Sequence, residues 1–252
     1  MGGGSVMPRF FVEKENILAD KIVIGGEDAK HISLSLRARV GEKVTACDGD
    51  GTDYDCEISD ITKSEVTLAI LESKASETEP DVSVTLYQSL VKSDKFDFIV
   101  QKCTELGVSR IVPVVTERCI SRPDDASLAK KVSRWNKIAK EAAMQSGRGR
   151  IPVVENAVSF EKAVLEIKET DFGFLCYEAQ PHEPVNELYA KCKNVKSAAF
   201  LVGPEGGISE KEVESARKAG LYIASLGPRI LRAETAPLCV MSCLMLLTEN
   251  MN

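Results

Sequence analysis

The residues best placed to do chemistry lie in two short glycine-bearing segments, LVGPEGGISEKEVE (Leu201 to Glu214) and LGPRILRAETAPL (Leu226 to Leu238). Gly203, Gly206 and Gly207 permit positive φ angles and close approach of bare backbone, while Pro204 stiffens the turn. In the second segment Gly227-Pro228 precedes Arg229 and Arg232, whose guanidinium groups suit a carboxylate or phosphate bidentately. Glu234-Thr235-Ala236-Pro237 reads as a helix start in which the acid and the hydroxyl could serve as caps. Neither loop is a dinucleotide fingerprint, because G-x-G-x-x-G is missing. Neither is a P-loop, because no G-K-[ST] follows. The chemistry they allow is that of a small ligand cradled by main-chain groups, although a purely structural glycine loop has the same letters.

Those loops need elements to position them. Each follows an apolar run of strand type, SAAFLVG or LYIASLG, and each opens a helix. Ser209 and Glu212 form an S-x-x-E capping box for a helix that Gly220 ends. Upstream, strands VSVTLYQ, RIVPVV, IPVV and FGFLCY alternate with helices over Asp94 to Leu106, Ser127 to Gln145, Phe160 to Ile167 and Val185 to Lys191. Thr235 to Thr248 is the last helix. This alternation predicts a parallel sheet covered on both faces, with ligands beyond the C-terminal ends of its strands. Before it, FFV (Phe10 to Val12), KIVIGG, the run Glu42 to Ile61 and SEVTLAIL read as short strands, interrupted by one helical stretch, Asp28 to Leu36. Asp48-Gly49-Asp50-Gly51 is a hairpin signal. The pattern predicts a small β-barrel over residues 7–74 and a second domain over 80–252, joined by the polar linker SKASETEPD (Ser73 to Asp81). Met1 to Val6 (MGGGSV) stands before a second methionine and reads as a cloning remnant or a misplaced start.

Bulk properties narrow the partners. The chain has 252 residues, a formal net charge of −6 and no apolar run long enough for a membrane helix. No signal-peptide pattern opens it, so a cytoplasmic location is expected. Eight cysteines form no C-x-x-C pair, and only His31 and His182 could join them as ligands, so buried reduced thiols are expected rather than disulfides or a metal site. Between Lys130 and Arg150 seven cations face the single acid Glu141, a local basic surface on an acidic protein. A solvated helix face is the bland alternative. Trp135, in an apolar-periodic position of that helix, is expected in the core.

The two loops together resemble the paired C-terminal motifs of the SPOUT RNA methyltransferases, and most closely the ribosomal RNA small subunit methyltransferase E family. MPRFFV (Met7 to Val12), HISLSLRARVGE (His31 to Glu42), SLVKSDKFDFIVQKCTELGVSRIVPVVTERC (Ser89 to Cys119) and RWNKIAKEAAMQSGRGRIP (Arg134 to Pro152) are similar to further family segments in the same order. The resemblance covers nearly the whole chain. It departs at Gly149, where a polar residue is common, and at Ala233, where threonine is frequent.

The resemblance implies an α/β SPOUT domain with a parallel sheet and a trefoil knot, an exception to the rule of un-knotted chains, preceded by a small PUA-like β-barrel that binds RNA. It implies S-adenosylmethionine as cofactor, the N3 atom of a uridine in 16S ribosomal RNA as target, a small-subunit particle as substrate and a homodimer as the working form. Carried over by position, Leu201, Val202, Gly203, Pro204, Glu205 and Gly206 line one side of the cofactor site. Leu226, Gly227, Leu231, Arg232, Glu234, Thr235 and Ala236 line the other. Glu178 is the expected acceptor of the uracil N3 proton, with Arg232 steadying charge on the base; a plain surface carboxylate at a strand end is the alternative. Arg9, His31, Arg37, Arg134, Arg148 and Arg150 are the expected RNA contacts. A SPOUT enzyme acting on another RNA atom, and a non-catalytic RNA-binding protein, are the rival readings.

Overall fold

The computed structural model describes residues 8–179 and 191–251. The Met1 to Val6 segment, His182 and all but the last residue of the helix expected near Val185 to Lys191 lie outside the described residues. The chain divides into two units, Met1–Glu79 with Ala143–Ile151, and Pro80–Ala142 with Pro152–Asn252. The domains expected over 7–74 and 80–252 differ from this division by the segment Ala143–Ile151, which groups with the first unit.

The first unit is built on a curled five-stranded sheet. Its strands are β1 (Arg9–Phe11), β2 (Lys21–Gly25), β3 (Lys43–Cys47), β4 (Thr52–Ile61) and β5 (Glu65–Ala75), in the order β1-β3-β4-β5-β2. The β1–β3 pair is parallel and the rest are antiparallel. Period-two alternation sends Val44, Ala46, Ile58, Val66 and Leu68 into one core with Phe10, Ile22 and Ile32. At the β3–β4 hairpin the Asp48 carboxylate accepts from Asp50 N–H (2.8 Å) and Thr52 N–H (3.0 Å), and Gly49 and Gly51 take φ of 77° and 105°. Residues of the expected linker are strand instead: Ser73, Lys74 and Ala75 pair with Tyr54, Asp53 and Thr52. Cross-strand hydrogen bonds, and the Lys74–Asp55 ion pair at 2.8 Å, override a composition that looks like coil. Helix α1 (Gly26–Lys30) runs directly into a π-helical turn, His31–Ser35, and the chain leaves it through Arg37 at φ 53°.

Ala143–Ile151 completes this unit. Ala143, Met144 and Ile151 pack on Phe11 and Cys47. A Cβ on Gly149 would stand 2.3 Å from both Cβ and Oγ of Ser76, so a larger residue at 149 would require Ser76 to shift.

The second unit alternates as expected: β6 (Ser83–Ser89), α2 (Ser93–Glu105), β7 (Arg110–Val115), α3 (Asp125–Gln145), β8 (Val153–Val154), β9 (Val158–Ser159), α4 (Phe160–Lys168), β10 (Phe172–Cys176), β11 (Ser197–Val202), α5 (Glu210–Ala219), β12 (Tyr222–Ala224) and α6 (Thr235–Leu247). The sheet order is β12-β10-β11-β6-β7-β8, with β9 also beside β7, and every pairing is parallel. Strand alternation feeds two cores. Val84, Leu86, Phe174, Phe200 and Val202 meet α2, α3 and α6 through Phe96, Ile99, Trp135, Val240 and Met241. Tyr87, Val112, Leu175, Leu201 and Ile223 meet α4 and α5 through Phe160, Val164, Val213 and Ala216. Each fully buried large side chain contributes roughly 1.5–3 kcal/mol. Trp135 is a core residue, stacked 3.9 Å from Phe96 with its Nε1–H donating to Asp97 (3.1 Å). Gly107 at φ 93° ends α2.

Candidate active site

Strand order decides what meets at the C-terminal edge of the parallel sheet. β10 lies between β12 and β11, with Cys176 opposite Ala224 and Leu175 opposite Leu201. Tyr177 and Glu178, which follow β10, therefore emerge between the loop after β11 and the loop after β12, and Tyr177 N–H donates to Ala224 O (2.9 Å). The three segments enclose a cleft of about 290 Å³.

The first loop is folded back on itself. Gly207 N–H donates to Pro204 O (2.9 Å), Gly207 has φ 71°, and a Cβ on Gly203 would lie 3.0 Å from Ile208. From outside, Arg118 Nη1 donates to Gly206 O (3.2 Å). The capping box then starts α5: Ser209 Oγ accepts from Glu212 N–H (3.3 Å) and Glu212 accepts from Ser209 N–H (3.0 Å). Glu212 also accepts from Glu117 N–H (2.8 Å), and Ser209 Oγ donates to Glu117 (2.7 Å), which ties the loop exit to the segment after β7. The second loop is turned by Gly227 at φ 100°, where Ser225 Oγ accepts from Gly227 N–H (3.3 Å), and is closed by Thr235 N–H to Arg232 O (2.9 Å).

Of the residues expected at the cofactor site, Val202, Gly203, Pro204, Glu205, Leu226, Gly227, Leu231, Arg232 and Ala236 are on the cleft wall, as is Glu178. Four are not. Leu201 faces away because strand alternation turns it into the core under α4 and α5. Gly206 faces Arg118, whose Cβ and O would lie 3.2 Å from an added Cβ. Glu234 turns to Lys95, and Thr235 is exposed at the start of α6. Beyond the residues expected to hold the cofactor, the wall also includes Lys95, Tyr177, Gly207, Ser225, Arg229 and Ile230. Gly207 carried a signal, since a glycine pair in a tight turn leaves the left-handed position to one of its members. Lys95 lies in the family-like segment Ser89 to Cys119, which leaves it open between a domain-structural and a substrate-facing role. Ala233 also lines the wall, so the departure from threonine leaves out a hydroxyl there.

Gly207→Val is expected to weaken ligand binding in this cleft by about a hundredfold, because a β-branched residue is strained at that φ and its Cβ would meet Glu178 Oε1 at 3.0 Å. Gly206→Ala, at an ordinary φ, should change affinity less than about threefold. Calorimetry on both variants checks the contrast; equal losses would return Gly206 to the wall.

The site's electrostatics are carried by carboxylates and cations rather than thiols. Burial pushes the Cys176 thiol well up, so it acts as a small hydrophobe on the wall. Partial burial works to raise the Glu205 carboxyl, but its own N–H, the Lys95 ammonium and the Lys92 N–H together hold it below the usual carboxylate range. Lys95 is raised, chiefly by Glu234, against some desolvation and with help from Glu205.

The expected RNA contacts divide. The Arg9 guanidinium is bound bidentately to Asp53 at 2.7 and 2.6 Å, and donates to Arg148 O (3.1 Å). Arg148 is 4% exposed and bound bidentately to Glu79 at 3.2 and 2.7 Å. Burial and pairing hold both guanidinium groups against carboxylates of the first unit. His31, Arg37 and Arg150 are exposed, Arg150 donating through Nε to Asp50 O (3.1 Å). Arg134 is exposed and paired with Asp97. All eight cysteines are free thiols, and no described helix is long and apolar enough to cross a membrane.

A parallel α/β sheet with a two-loop cleft at its C-terminal edge, together with a separate curled β unit, is the architecture of a two-domain RNA methyltransferase. A family model described as an RNA methyltransferase domain matches residues 78–245, and one described as an RNA methyltransferase PUA domain matches residues 24–71. The ribosomal RNA small subunit methyltransferase E of Bacillus subtilis is 34% identical over 96% of this chain and 98% of its own length. The crystal structure of that enzyme from Neisseria gonorrhoeae, bound to S-adenosyl methionine, is 31% identical with a TM-score of 0.85, covering 96% of this chain and 98% of the other. A Legionella pneumophila putative methyltransferase, in complex with the same cofactor, is 28% identical with a TM-score of 0.83 and the same coverage. The chain belongs to the ribosomal RNA small subunit methyltransferase E family.

Proposed function

We propose that this protein transfers a methyl group from S-adenosylmethionine to the N3 atom of a uridine in 16S ribosomal RNA, on a small-subunit particle in the cytoplasm. The observation that carries the reading is the convergence of Glu178 and Arg232 on one cleft between two glycine loops. The cleft suits such a cofactor. Gly203 and Gly207 bring bare backbone to its wall, Val202, Leu226 and Leu231 offer apolar surface for an adenine ring, and Glu205 and Glu178 favour a positive charge. The cofactor supplies a methyl group on positively charged sulfur. Attack by N3 forms the N–C bond as the C–S bond breaks, and the N3 proton must leave. Glu178 accepts that proton, and Arg232 donates to the uracil oxygen that gains negative charge. The loops hold both reactants in line.

RNA is held by the exposed cations His31, Arg37, Arg134 and Arg150, so binding weakens steeply with salt. The working form is a homodimer with a trefoil-knotted C-terminal segment, as the family implies. An apolar stripe on α6 supports self-association: Leu238, Cys239, Cys243 and Leu246 remain partly or largely exposed on an otherwise apolar helix, Leu246 at 64%. Light scattering at working concentration checks it, and a monomer would contradict it. The central test is mass spectrometry of nucleosides from small-subunit particles incubated with the protein and labelled cofactor. Label in 3-methyluridine is expected. Label on ribose or on another base atom would replace this reading with a different RNA methyltransferase, and no label would favour a binding protein.

A further inference from the structure

We propose that Lys95 latches the two motif loops into the geometry that receives the cofactor, a positioning role that rests on the S-adenosylmethionine reading of the cleft. Lys95 belongs to neither loop. It stands in the first turn of α2, and its side chain borders the cleft. Its Nζ lies 3.2 Å from Glu205 Oε1 in the first loop and 3.1 Å from Glu234 Oε2 at the end of the second. The three side chains are only 20%, 25% and 21% exposed, so solvent screens them less than an ordinary surface pair.

Two features make this more than a chance contact. Glu234 Oε2 is buried, and among the described residues the Lys95 ammonium at 3.1 Å is what compensates its charge. Glu205 Oε1 also lies 3.5 Å from Lys92 N at the start of α2, where the helix terminus favours a carboxylate. One cation thus holds two carboxylates, each from a different loop, at the same point. Without it the two acids repel, and the loops that form opposite walls of the cleft lose their common anchor.

The test uses the full chain. Lys95→Met should weaken S-adenosylmethionine binding by about tenfold in calorimetry. It should also speed amide exchange over residues 203–207 and 226–234 in the cofactor-free protein. Lys95→Arg should retain wild-type behaviour. Lys95→Met combined with Glu234→Gln should regain part of the lost affinity, because the two carboxylates no longer repel although the anchor stays broken; a lysine that merely supports the fold would show no such rescue. The latch is overturned if Lys95→Met leaves affinity and loop exchange unchanged, or if Glu234→Gln deepens the loss. If wild type binds no cofactor while exchange responds as described, the cofactor reading fails and the latch stands. Should Lys95→Met not fold, Lys95→Gln carries the same measurements.

Discussion

Glu178→Gln is expected to lower the rate of methyl transfer by about 10²–10⁴-fold, while cofactor affinity stays within about threefold of wild type. The glutamine has the same shape and still accepts hydrogen bonds, so the position of Glu178 against Gly207, where its Oε1 is 3.0 Å from an added Cβ, is retained. What is removed is the ability to take a proton. Uracil N3–H is weakly acidic, and attack by the neutral nitrogen would leave a cationic base. If Glu178 is the acceptor, the variant depends on the small fraction of uracil ionised in solution, and its rate climbs by about tenfold per pH unit until that group titrates. The wild-type rate should be nearly flat over the same range. Single-turnover measurements over a pH series with saturating cofactor separate the cases. A Gln variant that matches wild type at every pH would mean that alignment of the reactants supplies the rate, with Glu178 a carboxylate at a strand end.

Glu79→Ala is expected to destabilise the first unit by about 3–5 kcal/mol, the usual cost of breaking a buried pair by removing one partner. Glu79 Oε1 accepts from Arg148 Nε, Gly149 N–H (2.9 Å) and Arg150 N–H (3.0 Å), and Oε2 accepts from Arg148 Nη2 at 2.7 Å. One carboxylate therefore gathers three consecutive residues of Ala143–Ile151 onto the sheet unit. Its loss strips the counter-charge from a guanidinium that is 4% exposed and orphans two backbone donors. Lys14 and Asp50, also an ion pair in this unit, have side chains 62% and 67% exposed, and Lys14→Met should leave stability essentially unchanged. The single tryptophan, Trp135, reports the second unit, so denaturation of the first must be followed by circular dichroism or amide exchange. A Glu79→Ala effect no larger than that of Lys14→Met would mean that the buried pair contributes nothing.

Elements whose signals act within a few residues are legible in the chain alone. The Asp48 hairpin, the Ser209–Glu212 capping box, the Gly107 and Gly220 helix stops and the strand–helix alternation are local matters of propensity, capping and φ, and they stand where the letters put them. The family motifs carried the two glycine loops, Glu178 and Arg232 to one functional reading. Other features depend on partners far along the chain and emerge only once it has folded. Strand order set Glu178 between the loops, since a parallel sheet can be threaded in many orders by the same alternating string. Nothing in the letters around Arg9 and Arg148 reveals that Asp53, 44 residues away, and Glu79, 69 residues away, hold them. Gly206 and Gly207 are adjacent identical letters, yet backbone direction turns one toward Arg118 and the other onto the cleft wall. Lys95 joined the site only because folding brings the start of α2 to both loops. Charge pairing and strand order are long-range because each lowers the free energy only after the chain has closed the intervening loop, and no window of sequence contains both partners.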